Sequence, residues 1–497
     1  MNSVIQMVRG PCLNSVHHGI EARPTTAVKG IGLLPSRRSS KAASQRHVVA
    51  HTAGDLLSQI QSGALAPGAR LPSVRQLARE REVSAFSAAE IYNALVAAGA
   101  VEAQAGLGYF VTRRRSARPA EPRCKEFPTD SVWERRRETL GKPIKVDAGC
   151  GWLPADWLHC EGVRAALRSA ARRPDLHLEG YGNPFGLPEL RAHLSTLLDA
   201  RRITAREEQI VLTQGGSQAL DLVVRECLKP GDTAIVEDPG YPPLFEMLKN
   251  RGVQMLSIAR TEGGPDVEAL ASVLKRRTAR CLFTNTTCHN PTGTTTILSV
   301  AHHLLELANR YDLTIVEDDI SGDLAPVAAT TLASLDELKR VVYISSFSKT
   351  ISPSLRAGFL AARPALAARL ARAKVTASLG TSELLEQLTL QILTQGHYRR
   401  HLKRLRERLA AAHTSAAREF AARGVELAFR PQAGFFLWAK LPSREPVGKL
   451  WRLAAGEGVL LAPGELFRPD GSAVDHWRFN VAQCVDPELF RFLETLR

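Results

Sequence analysis

No stretch of this 497-residue chain approaches the roughly 20 consecutive apolar residues that a membrane span requires. Its opening residues, interrupted by Arg9, Pro11, His17 and His18, lack the apolar core of a secretory signal, so a cytosolic protein is expected. The eight cysteines (Cys12, Cys124, Cys150, Cys160, Cys227, Cys281, Cys288, Cys484) contain no CxxC pair and no spacing typical of zinc ligands. They are read as reduced packing thiols, and no metal is expected. There is also no internal repeat, which argues against a solenoid or an array.

What the chain has in excess is positive charge, +15 in all, and it is unevenly placed. Residues 1–50 carry seven Lys/Arg against one acidic residue, and residues 113–145 carry eleven against five. Residues 51–112 carry a net −1, and 146–497 the remaining +4. The excess therefore flanks 51–112 on both sides. Such flanks are either solvated basic segments or arms that lie along a polyanion.

At 497 residues with 44% apolar content the chain supports two or three domains. Residues 1–50 show no sustained periodicity and are expected to be a disordered basic extension. From His51 the pattern is helical: Leu56, Leu57 and Ile60, stopped by Gly63, Pro67 and Gly68. Pro72-Ser73 opens a second helix with Val74, Leu77 and Ala78 inward, and a third carries Ile91, Leu95 and Val96 and ends at Gly99. Val101–Gln104 and Tyr109–Val111, separated by glycines, read as a hairpin. Three short helices and a hairpin predict a winged helix-turn-helix over 51–112. Residues 113–145 are rich in Arg, Pro and Glu, as a linker is. From 146 to 497, strand-like runs such as Ala234–Val236, Thr314–Val316 and Val341–Ile344 alternate with helical stretches. That alternation predicts an α/β domain on a mostly parallel sheet, with a smaller α+β part from about 380 to 497.

Several residues of this large domain suit one chemistry when taken together. Ser346-Phe347-Ser348-Lys349 follows a strand directly and sets a lysine at a carboxyl strand end, where open α/β sheets bind ligands, with Arg356 seven residues on. Asp318 ends another strand and can hold a pyridinium nitrogen protonated. Thr213–Gln218 is a glycine turn opening a helix, whose free N–H groups favour a phosphate. Asn290, in Asn290-Pro291-Thr292-Gly293, offers an amide to a phenolate oxygen, and Tyr241 can lie over an aromatic ring.

With GYGNPFG, TQGGSQAL, DPGYP, HNPTG, VEDD and SFSKTISPSLRAGF together, residues 51–497 resemble MocR-type members of the GntR transcription regulators. The resemblance implies a winged helix joined to a fold-type I aminotransferase-like domain that binds pyridoxal 5′-phosphate (PLP). Lys349 would form the Schiff base, Asp318 would pair with the ring nitrogen, and Asn290 would meet the 3-oxygen. Gly216, Ser217, Ser346 and Arg356 would hold the phosphate, and Tyr241 would stack on the ring. Tyr181 would reach the phosphate of a neighbouring subunit, which implies a homodimer. Arg478, in Trp477-Arg478-Phe479-Asn480, resembles the arginine that grips a carboxylate, so an amino-acid-like effector is implied, sensed through external aldimine formation. On the DNA side the resemblance points to Arg75, to Ser84 and Ser87 at the start of the third helix, and to Gly106 in the wing.

Two departures stand out. The tyrosine that the family places a few residues after the aspartate is replaced by Ser321, too short to reach the same oxygen directly. The Ser-Arg-x-Thr of the third helix is here Ser84-Ala85-Phe86-Ser87, without its arginine. The main reading is a PLP-dependent, effector-responsive DNA-binding regulator. The alternative is a working aminotransferase with a vestigial winged helix. A third, a sensor of the vitamer alone, would have no use for Arg478.

Overall fold

The computed structural model describes residues 49, 51–60, 62–104, 106–112, 144–174, 179–325, 329–431 and 433–496. The chain divides into two compact units, Met1–Glu126 and Phe127–Arg497. Nearly all of the two basic flanks, 1–48 and 113–143, lies outside the described residues.

The first unit holds α1 (51–60), α2 (Val74–Glu80) and α3 (Ala85–Ala97), then a hairpin of β1 (Val101–Gln104) and β2 (Gly108–Val111). Each later helix starts on a serine cap: Ser73 Oγ accepts from Gln76 N at 3.2 Å and Ser84 Oγ from Ser87 N at 3.0 Å. Gly99, with φ 67°, supplies the left-handed residue that ends α3. Leu56, Leu77, Ile91, Leu95, Val101 and Val111 meet in one core. Tyr92 stacks on Tyr109 at 4.1 Å and donates its hydroxyl to Pro72 O, which ties α3 to both the wing and the α2 entry. Val96, grouped with the inward residues from sequence, is exposed, because Leu95 already takes the place four residues after Ile91. Three helices and a hairpin in this order form the expected winged helix-turn-helix.

The second unit is built on an eight-stranded sheet in the order β3-β10-β9-β8-β7-β4-β5-β6. Its strands are β3 (Ile210–Thr213), β4 (Thr233–Asp238), β5 (Gln254–Thr261), β6 (Gly264–Pro265), β7 (Cys281–Thr284), β8 (Thr314–Asp318), β9 (Val341–Ser346) and β10 (Gly358–Ala361). The stretch β9-β8-β7-β4-β5 is parallel, while β10 runs antiparallel to both neighbours and β6 antiparallel to β5. The central strands are apolar at nearly every position because helices cover both faces. Alternate residues serve alternate cores: Ile315 and Tyr343 join one cluster, Val316 and Ile344 the other.

A four-stranded antiparallel sheet, in the order β11-β12-β14-β13, completes the unit: β11 (Glu426–Leu427), β12 (Phe436–Lys440), β13 (Ala462–Pro463) and β14 (His476–Asn480). It packs against helix His397–Ala422. The same core takes Val146, Ala148, Leu153 and Trp157, so the start of the unit is woven into its end. Among the described residues no helix is long and apolar enough to cross a membrane.

Candidate functional site

The parallel strands deliver the chemistry at their carboxyl ends. Asp318 closes β8 and stands level with Ile344 of β9, two residues before β9 ends at Ser346. A single 3₁₀ turn, Phe347–Lys349, then places Lys349. The antiparallel β10 brings a second set alongside, since Gly358 pairs with Ser346 on one side and with Thr213 on the other. Ser346, Gly358 and Thr213 thus share one level of the sheet, and the Thr213–Gly216 turn lies next to the Lys349 turn. Gly358 has to be glycine, because a Cβ there would lie 2.7 Å from the Cα of Gly215.

The Gly215 turn has the form of an anion cradle. Gly215 has φ 79° and precedes helix Gly216–Cys227, whose first N–H groups receive no side-chain cap. Arg356, itself left-handed at φ 48°, donates Nη2 to Gln214 O at 2.8 Å. Its guanidinium lies across Gly215, where an added Cβ would come within 3.1 Å of it. Ser217 holds the phenol of Tyr241, the residue that heads helix Pro242–Asn250. Ser346 is more constrained than the sequence suggests: its hydroxyl accepts from Ser348 N at 3.2 Å and donates to Ala357 O at 3.0 Å. It therefore braces the turn, and it must rotate before it can donate to a phosphate.

Lys349 is half-buried, gives its Nζ to Gly151 O, and lies 5.8 Å from the centre of the Phe435 ring. Loss of solvent, and then the positive charge of Arg478, pull its amine down to about 8. Asp318 is buried and moves the other way, to about 7, because burial and the neighbouring Asp319 disfavour its charge; the N–H of Ile320, 3.3 Å away, opposes the shift. Asp319 is not a second free acid, since Arg201 and the Tyr343 hydroxyl both bond its Oδ2. Ser321, in the place of the missing tyrosine, is buried at the start of a short 3₁₀ turn.

Arg478 enters from β14 and is 7% exposed. Nη1 donates to Asn290 Oδ1 at 2.8 Å and Nη2 to Gly149 O at 2.6 Å, whereas Nε, also buried, has no acceptor among the described residues. Phe436 and Phe467 lie 4.5 and 4.7 Å from the guanidinium carbon. With no ion pair among the described residues, burial lowers its pKa to about 10. A buried cation bonded only to neutral acceptors is suited to an anion.

Tyr181 contributes no described contact to this group in the single chain and is 84% exposed. In the first unit Arg75 and Ser84 are exposed, and Gly106, with φ 76°, turns the wing. Ser87 does not fit the DNA-contact expectation. It is 1% exposed and its Oγ lies 2.9 Å from that of Ser84, so it completes the helix cap instead. The large apolar residue exposed there is Phe86, 73% accessible, which the sequence does not single out. Also unforeseen were the carbonyls of Gly149 and Gly151 and the rings of Phe435, Phe436 and Phe467.

This geometry has close counterparts. Residues 151–496 match the aminotransferase class I and II family, and residues 49–111 match the bacterial regulatory proteins of the gntR family. The uncharacterised HTH-type transcriptional regulator YjiR of Escherichia coli strain K12 is 28% identical over 87% of this chain and 94% of its own length. The probable rhizopine catabolism regulatory protein MocR of Rhizobium meliloti is 28% identical over 82% of this chain and 84% of its own. Among solved structures, the α-aminoadipate aminotransferase LysN of Thermus thermophilus, complexed with N-(5′-phosphopyridoxyl)-L-leucine, superposes with a TM-score of 0.66. It is 29% identical, and the match covers 73% of this chain and 95% of its own. The chain belongs to the aminotransferase class I and II family, with a gntR-family DNA-binding domain ahead of it, the MocR-type arrangement. Pyridoxal 5′-phosphate is its cofactor.

The residues present fit that group. An uncapped helix N-terminus under a guanidinium suits its phosphate, a buried carboxyl suits a pyridinium nitrogen, and a lysine amine held near 8 suits an aldehyde.

Proposed function

We propose that this protein is a transcription regulator whose second unit binds an amino-acid-like effector at the PLP site and whose first unit binds DNA. Bound PLP supplies an aldehyde that condenses with primary amines and a ring that delocalises charge. In this reading Lys349 holds the aldehyde carbon covalently and Asp318 keeps the ring nitrogen protonated. Gly216, Ser217 and Arg356 hold the phosphate, with Ser346 bracing the turn. Asn290 meets the 3-oxygen, and Tyr241 covers the ring.

The observation that carries the effector reading is Arg478, a buried guanidinium that has, among the described residues, no acceptor for its Nε and no carboxylate partner. A free amino acid offers both an amine for the cofactor and a carboxylate for Arg478. A sensor of the vitamer alone would not need that cation. The chain acts as a homodimer in this reading: Tyr181, idle and exposed in one copy, would serve the partner's phosphate, and two winged helices would meet paired half-sites. A cytoplasmic setting follows from work on DNA.

The test is to mix protein, PLP and DNA fragments retained from the source genome with each of the common amino acids. One of them is expected to change both the cofactor absorbance and the affinity for DNA. Lys349→Ala is expected to abolish the borohydride-trapped lysine adduct. Absence of that adduct in the wild type overturns the reading. The second reading, a working aminotransferase, draws on the joint presence of Lys349, Asp318 and Arg478. Sustained conversion of amino acid with a 2-oxo acid, with no response of DNA binding to any amino acid, would favour it.

A further inference from the structure

The amino ends of the same parallel strands carry a second feature, a cleft of about 750 Å³. Asp232 precedes β4, Arg280 precedes β7, Asp312 lies just before β8, and Arg340 precedes β9; all four line it. Strands of four to six residues, at about 3.3 Å each, put this cleft roughly 13–20 Å from Lys349 and Asp318 at the other ends. It is not part of the cofactor site.

Eight cationic side chains and three carboxylates line the cleft, an excess of five. Residues 146–497 as a whole carry only +4, so the rest of that span is slightly acidic and its positive charge is concentrated here. The carboxylates are already engaged: Glu226 with Arg369 at 2.6 Å, Asp312 with Arg340 at 2.7 Å, and Asp232 with the Lys229 N–H at 2.8 Å. Among the described residues Lys229 and Arg363 form no ion pair, and both are exposed, as are Arg280 and Lys339.

We propose that this cleft binds the phosphate backbone of duplex DNA. The inference rests on the reading of the first unit as the DNA-binding domain and adds to it a contact made by the second. From β9 to β4 the strand ends stand side by side about 4.8 Å apart, roughly 14 Å in all: Arg340 opens β9, Arg280 opens β7 and Lys229 lies four residues before β4, while β8 contributes only Asp312, so the cations are spread over a length comparable to a few successive phosphates of one DNA strand. A row of that length suits a continuous polyanion. The first unit needs such help: residues 51–112 carry net −1, with no Lys or Arg between Arg81 and Arg113. Because the units are covalently joined, a duplex held by the first is presented to the second at high effective concentration.

The experiment uses the full chain with PLP and a long random-sequence duplex, measuring affinity against salt. The charge-neutralised protein carries Lys229→Gln, Arg280→Gln, Lys339→Gln and Arg363→Gln, none in the cofactor site. Each lost phosphate contact should flatten the slope of log affinity against log salt by about 0.9, so a change of about three to four is expected. Should that protein fold poorly, as judged by its cofactor absorbance, Lys229→Gln with Arg363→Gln alone is expected to flatten the slope by about two. An unchanged slope in a folded variant overturns the proposal. Arg75→Ala is run in parallel: if it weakens binding while the cleft variant does not, only the cleft inference fails. If neither changes binding, the DNA reading of the first unit fails as well. Inorganic triphosphate is the third probe. Tight binding that the cleft variant loses, with the duplex slope unaltered, would assign the cleft to a small phosphate compound and overturn the DNA assignment.

Discussion

Arg478 donates from Nη1 to the side-chain oxygen of Asn290 at 2.8 Å. The residue proposed to read a carboxylate is thus bonded to the residue proposed to meet the cofactor's 3-oxygen. A ligand that draws on the guanidinium pulls on the amide too.

Arg478→Gln keeps a donor for Asn290 and removes the positive charge. A charge-assisted hydrogen bond contributes about 1.5–3 kcal/mol, so affinity for an amino acid is expected to fall by roughly 10- to 150-fold. Affinity for the corresponding decarboxylated amine should change little. Titrating the cofactor absorbance with both compounds decides the matter, and equal losses would mean that Arg478 does not read the carboxylate.

Asp318 sets a pH dependence in the cofactor-free protein. Burial raises its carboxyl from 3.8 to about 7, so between those values the folded state binds more protons than the unfolded state. Its own contribution to stability must then fall as pH rises through that window, against the opposite contribution of His159, His289, His401 and His413, whose pKa values burial lowers. Asp318→Asn should flatten this decline and raise the Tm of the cofactor-free protein at about pH 8, while weakening PLP binding. Glu317, also raised to about 7 by burial, keeps part of the slope in the variant. Melting curves from about pH 4 to 8, with and without PLP, measure the effect. A difference in Tm between wild type and Asp318→Asn that stays constant across the window would contradict it.

The exposed face of α3 presents Ala85, Phe86, Glu90 and Asn93, with no cation among them. In a helix-turn-helix the start of the third helix meets base edges, and a phenylalanine there suits the methyl group of thymine. Phe86→Ala is expected to reduce preference at thymine positions, by about 1–3 kcal/mol per contacted base pair, with the salt slope unaltered. Arg75→Ala should weaken all sequences if it meets a phosphate, and should also relax preference if it meets a base edge. Selection from a random duplex library, repeated for each variant, separates the two. An unchanged consensus for Phe86→Ala would remove Phe86 from the reading surface.

Much of the cofactor site was legible because its parts are local in sequence. The glycines at 215 and 216, and Lys349 with Arg356, each act within one turn, and a turn leaves its mark on consecutive residues. Arg478 could be picked out only by resemblance, and its surroundings not at all: its acceptors Gly149 O and Asn290 Oδ1 come from segments far away in the chain, and a carbonyl has no residue signature. The basic cleft was hidden for the same reason, being gathered from the beginnings of four separate strands while the summed charge of the domain stays small. Ser87 was a different failure, since a signal existed. Ala88, Ile91, Tyr92 and Leu95 mark the inner face of α3, and Ser87 lies beside it at helical spacing from Ile91.

Ser346 and Gly358 are paired across β9 and β10, and the eleven residues between them carry both Lys349 and Arg356. The two ends of this loop are fixed by the sheet, so the loop acts as a gauge whose length must match one rigid small molecule, from its aldehyde to its phosphate. Drift in side chains between these two strands is tolerable; a single inserted or deleted residue is not. Such a change would shift one anchor against the other by up to about 3.5 Å, more than a hydrogen bond can span.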